Sequence, residues 1–203
     1  MTRSKLTIPI MEMFYTIQGE GEYQGIPAYF VRIGGCDVGC SWCDVKESWD
    51  ATLHPEMSIE AIYNKVSISN APIIVITGGE PLMYNLDGLT NLLQKTGKSL
   101  NIETSGAYEL SGTWDWFCLS PKKFKAPVEK SYDFANELKI IVFNKSDFKW
   151  AEQHAALVNE NCKLFLQPEW SKEKEMLPLI IDYVKQNPQW QISLQIHKYL
   201  NIP

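Results

Sequence analysis

The sequence predicts an α/β fold in the form of a partial, incomplete TIM-like barrel, and three observations point there. Short apolar runs alternate with helical patterns, giving about seven strands and four helices without internal repeats, as parallel strands joined by crossover helices require. The chain has 203 residues, enough for a single domain over 1–203 with a substantial core, whereas a closed eight-fold barrel typically takes about 250. Residue groups suited to chemistry fall at the C-terminal ends of the expected strands, where ligands gather in α/β proteins. One end of the sheet is therefore expected to carry the site.

In chain order, Met1–Ile10 carries no motif and leads into a first strand over the apolar and aromatic Met11–Thr16, which is followed by the turn-prone Gln18-Gly-Glu-Gly21. Ala28–Ile33 reads as a strand with Tyr29, Val31 and Ile33 on one face and Phe30 and Arg32 on the other. Ser58 is placed to cap a helix through about Val66, with Glu60 in its first turn. Ile73–Ile76 is a buried strand ending in Thr77-Gly-Gly-Glu-Pro81. Leu82, Leu86, Leu89 and Leu93 then recur at helical spacing, a stripe that belongs to core packing, and Gly97 is a stop signal. Leu100–Glu103 is a short strand before Thr104-Ser105-Gly106, and Trp116–Leu119 is another before Ser120-Pro-Lys122. Lys123–Asn136 reads as a loop. Leu138–Phe143 is a strand, Ser146 caps a helix to about Asn159, and Cys162–Gln167 is the next strand, ending in Gln167-Pro168. Met176–Val184 is helical, with Pro178 either starting or kinking it. Trp190–Ile196 alternates as a last strand, and His197–Pro203 has no helix or strand signature.

Composition narrows the partners. A net charge of −5 leaves no basic footprint for nucleic acid, and Lys122, Lys123 and Lys125 are too few to make one locally, so a small-molecule substrate is expected. There is no apolar run of ~18 residues and no charged-then-apolar leader. The expectation is a soluble cytoplasmic protein with no membrane partner, in a compartment where thiols stay reduced.

Three of the five cysteines, Cys36, Cys40 and Cys43, fall in Gly34–Asp44 as C-x3-C-x2-C. Three thiolates so close can converge on one metal centre, and an iron–sulfur cubane held by three protein thiolates keeps one iron open for a non-protein ligand. A structural zinc site would need four ligands. No second pair exists: Cys118 and Cys162 stand alone, and His54 is the nearest imidazole. Disulfides within the trio would be crowded. Elsewhere the residues alone leave two readings open. Gln18 sits in what can be an ordinary hairpin turn, Arg32 is either a solvated surface residue or a bidentate grip for a carboxylate, and Glu103, Ser105 and Lys122 are either loop residues or ligand contacts.

The spacing of the cysteines, after a strand and with Trp42 before the last of them, resembles the cluster motif of radical S-adenosylmethionine enzymes. Phe14-Tyr-Thr-Ile-Gln-Gly-Glu-Gly21, Thr77-Gly-Gly-Glu-Pro81, Ile102-Glu-Thr-Ser-Gly106, Leu119-Ser-Pro-Lys122, Leu166-Gln-Pro168 and Gln195–Pro203 narrow the resemblance to the 7-carboxy-7-deazaguanine synthase family, from near residue 10 to the last residue. The resemblance implies a barrel of the radical S-adenosylmethionine type. It implies a [4Fe-4S] cluster on Cys36, Cys40 and Cys43 whose open iron is chelated by S-adenosyl-L-methionine, with cleavage to a deoxyadenosyl radical and no side chain assigned as acid or base. It makes Gly78, Gly79, Glu80, Ser105, Ser120, Pro121, Lys122, Gln167 and Pro168 cofactor contacts. Ile17, Gln18, Gly19, Arg32, Thr77, His197 and Pro203 become contacts to a pterin substrate, with the Gln18 amide reading the pterin edge, Arg32 meeting its carboxylate and the terminal Pro203 carboxylate folding into the pocket. The implied reaction is conversion of 6-carboxy-5,6,7,8-tetrahydropterin to 7-carboxy-7-deazaguanine with loss of ammonia, on the route to queuosine and related deazapurines. An external flavodoxin- or ferredoxin-like electron donor and a homodimer also follow from it. One residue departs from the pattern: after Asp44 the family usually has Thr or Ser, whose hydroxyl is a ligand to Mg2+. Val45 has no oxygen to offer, so Mg2+ is either held differently or not required. A radical enzyme acting on a protein partner, or a non-catalytic zinc or iron–sulfur module, are the competing classes.

Overall fold

The structure, a computed structural model, describes residues 6–203; the start of the expected lead-in, Met1–Lys5, lies outside the described residues. The described chain forms one nine-stranded sheet from β1 (Thr7–Ile17), β2 (Pro27–Ile33), β3 (Glu56–Ser58), β4 (Ile73–Gly78), β5 (Ser99–Thr104), β6 (Trp116–Leu119), β7 (Glu137–Val142), β8 (Lys163–Pro168) and β9 (Trp190–Ile192). The spatial order is β3-β1-β2-β4-β5-β6-β7-β8-β9. β1 runs antiparallel to β2 and β3, and every pairing from β2 through β4 to β9 is parallel. The edge strands β3 and β9 do not meet, so the barrel is open, as the length implied. The helices are α1 (Ile59–Ser67), α2 (Asp87–Leu93), α3 (Ser131–Phe134), α4 (Ser146–Ala155), α5 (Glu173–Gln186) and α6 (Ile196–Leu200). Among the described residues no helix is long and apolar enough to cross a membrane.

Successive residues of a strand point to opposite faces, and here the two faces differ in kind. Val31, Ile33, Ile74, Ile76, Ile102, Leu119, Leu138 and Ile140 pack outward against Ile62, Val66, Leu89, Leu93, Ala151 and Ile180 of the helices. The intervening positions turn inward. Near one edge they form a small apolar cluster of Ala28, Phe30, Ile73 and Val75, but across β5 to β8 they include the buried polar residues Asn101, Glu137, Lys139 and Gln167. A polar barrel interior is affordable only where its groups find partners.

Several elements form for the expected reasons. The Ser58 hydroxyl accepts from the Ala61 N–H at 3.3 Å as the cap of α1, and Leu82, Leu86, Leu89 and Leu93 are all buried. Gly97 closes the second helical region in the left-handed conformation, at φ +69°. α2 itself starts only at Asp87, because Pro81–Met83 makes a separate 3-10 turn whose first N–H is taken by the Glu80 carboxylate.

Others differ. Ser146 is the first residue of α4 and no cap; Asn144 Oδ1 accepts from its N–H at 2.9 Å instead, and the helix stops at Ala155. Pro178 lies inside α5, where burial of Met176 and Ile180 on either side outweighs one lost backbone bond. β9 ends at Ile192, and the tail expected to be irregular forms the short α6, which Asn201 terminates at φ +54°. Five residues are too few for a periodic pattern to announce a helix.

Candidate functional site

The loop carrying the three cysteines leaves β2 at Ile33 and is stitched down on both sides. Gly35 donates to the Ser48 carbonyl at 2.6 Å and Cys36 to that of Trp49 at 3.1 Å, while Gly79 donates to Ile33 O at 2.9 Å and Glu80 to Gly35 O at 2.8 Å. The last two bonds explain the paired glycines after β4. Gly78 sits at φ +138° with its face against Ile33 at the end of β2, and a Cβ on Gly79 would lie 2.1 Å from Gly35 O, so the pair is pressed on the start of the cysteine loop. Gly79→Ala should therefore lift that loop, at about 1–3 kcal/mol for the overpacking. The expected result is a protein with wild-type circular dichroism that retains less than half the wild-type iron after anaerobic reconstitution.

Glu80 itself is buried, and its carboxylate accepts from Leu82 N–H (3.1 Å), Thr104 Oγ1 (2.5 Å) and both the N–H (2.8 Å) and hydroxyl of Ser105. It ties the end of β4 to the end of β5. Glu80 and Ser105 thus line the site with their side chains committed to each other.

A cavity of about 500 Å³ opens at these strand ends. Every residue singled out from the sequence as a cluster, cofactor or substrate contact lines it except Pro121. Pro121 is buried and faces a smaller neighbouring space of about 190 Å³ beside Trp42, Phe124 and Trp150. The reason is local: the Ser120 hydroxyl donates to Lys139 O at 2.9 Å and Lys122 Nζ reaches back to Ser120 O and Oγ at 2.6 Å, which turns the residue between them away.

Cys36, Cys40 and Cys43 all line this cavity. Cys43 N–H closes a turn onto Cys40 O at 3.1 Å, and the Val45 N–H donates to Cys43 Sγ at 3.4 Å. Among the described residues no three His, Cys, Asp or Glu side chains converge as they must around a single ion. A structural zinc site takes four ligands, and this loop offers three thiolates. A cubane presents its irons at separate corners and needs no such convergence, so the donor set fits an iron–sulfur cluster. Burial pushes the Cys36 thiol up and the Cys40 thiol up to about 11, so loading metal here displaces protons.

Arg32 and Thr77 lie side by side in register on β2 and β4, facing the cavity. The Arg32 guanidinium sits 5.8 Å from the Phe14 ring, itself stacked on Phe30 at 5.3 Å. Its Nε lies 2.8 Å from Glu12 Oε1, yet the N–H does not point at that oxygen and is buried without a hydrogen-bond partner. The tail covers the opposite wall. Ile196 donates to Gly19 O at 3.0 Å, the His197 ring packs so tightly on Gly19 that a Cβ there would fall 2.2 Å from Nδ1, and Thr16 Oγ1 donates to Pro203 O at 3.2 Å. Burial lowers the His197 pKa, so the ring favours its neutral form.

The floor was not anticipated. Lys139, 4 % exposed, places its ammonium 2.5 Å from Glu20 Oε2 and 3.5 Å from Glu103 Oε2. Gln18 Nε2 donates to Glu103 Oε1 at 2.8 Å, Glu20 N–H donates to Gln18 Oε1 at 3.1 Å, and Gln195 Nε2 donates to Glu20 Oε1 at 2.9 Å. The Gln18 amide is therefore held at both ends before any ligand arrives. Burial opposes ionisation of Glu20, but the Lys139 charge and the bonds from Lys139 and Gln195 overcome it and hold that carboxyl at about 2. Burial likewise opposes the charge on Lys139, and Glu103 and Glu20 more than offset it, raising its pKa. One signal was available: Lys139 interrupts the apolar run Leu138–Val142, and a charge in a buried parallel strand must have a partner.

Comparison with known proteins bears on these features together. A model of the radical SAM superfamily matches residues 30–111. A 7-carboxy-7-deazaguanine synthase of Flavobacterium psychrophilum is 59% identical over 196 residues, covering 97% of this chain and 93% of that protein. One from Synechocystis is 44% identical over 197 residues, covering 97% and 94%. The crystal structure of QueE from Escherichia coli matches with a TM-score of 0.83 at 32% identity, covering 93% of this chain and 94% of that one.

Proposed function

Because the chain belongs to the 7-carboxy-7-deazaguanine synthase family of radical S-adenosylmethionine enzymes, we propose that its 500 Å³ cavity is where 6-carboxy-5,6,7,8-tetrahydropterin is contracted to 7-carboxy-7-deazaguanine with loss of ammonia. The observation that carries this reading is the convergence of the cysteine trio, Arg32 and the Gln18–Glu103–Lys139 network on one space. When bound, the cluster and S-adenosylmethionine supply the one-electron chemistry that removes a substrate hydrogen.

The protein's own part is to hold, orient and exclude water. Cys36, Cys40 and Cys43 hold the cluster. Gly78, Gly79, Ser120, Gln167 and Pro168 form the wall nearest to it, and the Lys122 ammonium, 6.0 Å from the Trp42 ring, offers a charge to the cofactor's carboxylate. Glu80 and Ser105 brace that wall through each other. On the substrate side, the Arg32 guanidinium, whose buried Nε faces Glu12, meets the pterin carboxylate with its terminal N–H groups. Gln18 keeps one N–H free beyond its bond to Glu103, and Glu103 keeps acceptor capacity, so together they present both a donor and an acceptor to a heterocycle that carries both. Lys139 and Glu20 fix those two groups in place. Ile17, Gly19, Thr77, His197 and Pro203 close the space around the ring. Ser41 is exposed between Cys40 and Cys43, which gives an external flavodoxin- or ferredoxin-like carrier a short approach to the cluster; a homodimer belongs to the same reading.

Anaerobic reconstitution, reduction and incubation with S-adenosylmethionine and the tetrahydropterin test it. The expected products are 7-carboxy-7-deazaguanine and ammonia; cofactor cleavage without either would move the chain to another radical reaction. Arg32→Ala should weaken substrate binding about 10–100-fold, the worth of a hydrogen bond to a charged group, with the cluster absorption intact. Unchanged affinity would remove Arg32 from the substrate site.

A further inference from the structure

We infer that this chain works without a divalent cation, and that the Lys198 ammonium stands beside the substrate carboxylate where a metal ion would otherwise be needed; the inference rests on the reading of the cavity given above. The residues that would have to build a Mg2+ site do not fit one. Mg2+ requires hard oxygen donors in near-octahedral array at about 2.0–2.1 Å. Val45 lines the cavity with a side chain that has no oxygen. The adjacent Asp44 carboxylate accepts from Lys198 Nζ at 3.0 Å. The nearest hydroxyl along the loop, that of Ser48, is buried and donates to Val45 O at 2.7 Å. A divalent ion at this corner would face a resident ammonium and compete with it for Asp44.

Lys198 is, in turn, built in place. Its Nζ also donates to Gln195 Oε1 at 3.1 Å and lies 4.8 Å from the Trp170 ring centre, while the start of α6 is pinned by the bond from Ile196 to Gly19. Gln195, which positions it, is the same residue that holds Glu20. An ammonium has three N–H donors; Asp44 and Gln195 take two, and the side chain remains 20% exposed at the lining of the cavity that also contains Arg32. The third donor is free for an anionic group of the ligand. Lys198 is thus a binding residue for the reaction, and one whose charge needs no metal loading.

The test uses the reconstituted holoenzyme stripped of divalent ions with EDTA, then assayed without and with millimolar Mg2+, in parallel with a Mn2+ titration read by electron paramagnetic resonance in the presence of substrate. The inference expects turnover and substrate affinity to change by less than about threefold, and Mn2+ to stay free. Lys198→Met should weaken substrate binding about 10–100-fold with the cluster absorption unchanged, and Lys198→Arg should recover most of the loss. Val45→Thr in the Lys198→Met background should regain affinity only when Mg2+ is added. A greater than threefold gain from Mg2+ in the wild type, stoichiometric Mn2+ binding with substrate, or wild-type affinity in Lys198→Met would each overturn it. If Lys198→Met fails to keep its cluster, the Mn2+ count on the wild type decides. Absence of the deazaguanine product from the wild type would count against the proposed reaction, whereas bound Mn2+ would count against the present inference alone.

Discussion

In Lys139→Met the melting temperature falls by roughly 6–20 °C at neutral pH, the equivalent of the 3–5 kcal/mol that accompanies removal of one partner from a buried ion pair. The substitution keeps the volume of the side chain but leaves Glu20 and Glu103, which face the ammonium at 2.5 and 3.5 Å, as neighbouring carboxylates without a cation. The pH dependence identifies the cause. In the wild type the Glu20 pKa is lowered to about 2, so its contribution to stability is fully present above the unfolded carboxyl value and is lost as pH falls from about 4.5 toward 2. In Lys139→Met burial acts on Glu20 with only the Gln195 bond and the nearby His197 against it, so its pKa rises and protonation relieves the unpaired charge. The gap between the two melting curves should therefore be widest near pH 7 and narrow below about pH 5. A second substitution, Glu20→Gln, should recover part of the loss, because the two positions act as one unit. Parallel curves over this pH range would mean that Lys139 contributes packing and no charge.

The largest effect on activity is expected at the cysteine trio. Cys36→Ala, Cys40→Ala and Cys43→Ala should each lower product formation by roughly 10³-fold or more, and to about the same level, since groups that act as one unit fail together. Cys118 and Cys162 supply the control. Cys118 lies under the floor, its thiol 3.5 Å from Glu137 Oε1, and Cys162 is part of the outer core; neither lines the cavity. Cys118→Ala and Cys162→Ala should keep wild-type iron content.

What could be read from the sequence was what lies close together along the chain. The cysteine loop spans eight residues from Cys36 to Cys43, and the motifs at the ends of β4, β5, β6 and β8 announce themselves because a short strand followed by Gly, Ser or Pro is a local pattern. The alternation along β2 correctly separates Arg32 from Val31 and Ile33. What could not be read depends on which strands become neighbours. Lys139 and Glu20 are 119 residues apart and Gln18 and Glu103 are 85 apart, so their pairing exists only after the sheet is assembled. The same holds for Glu80, whose partners Thr104 and Ser105 sit at and just past the end of the next strand, and for Gly79, whose small size is required by the loop behind it and not by a ligand in front. Lys198 was passed over because the tail has no pattern of its own; its position is set by contacts with Gln195, Asp44 and Trp170.

The most direct test of the account is Mössbauer and electron paramagnetic resonance spectroscopy of the anaerobically reconstituted wild-type protein, recorded before and after addition of S-adenosylmethionine. Three thiolates lining the cavity predict a cubane in which a single iron differs from the rest and alone changes its spectrum when the cofactor is added. Zinc in place of iron, or a cluster whose spectrum is indifferent to the cofactor, would contradict it.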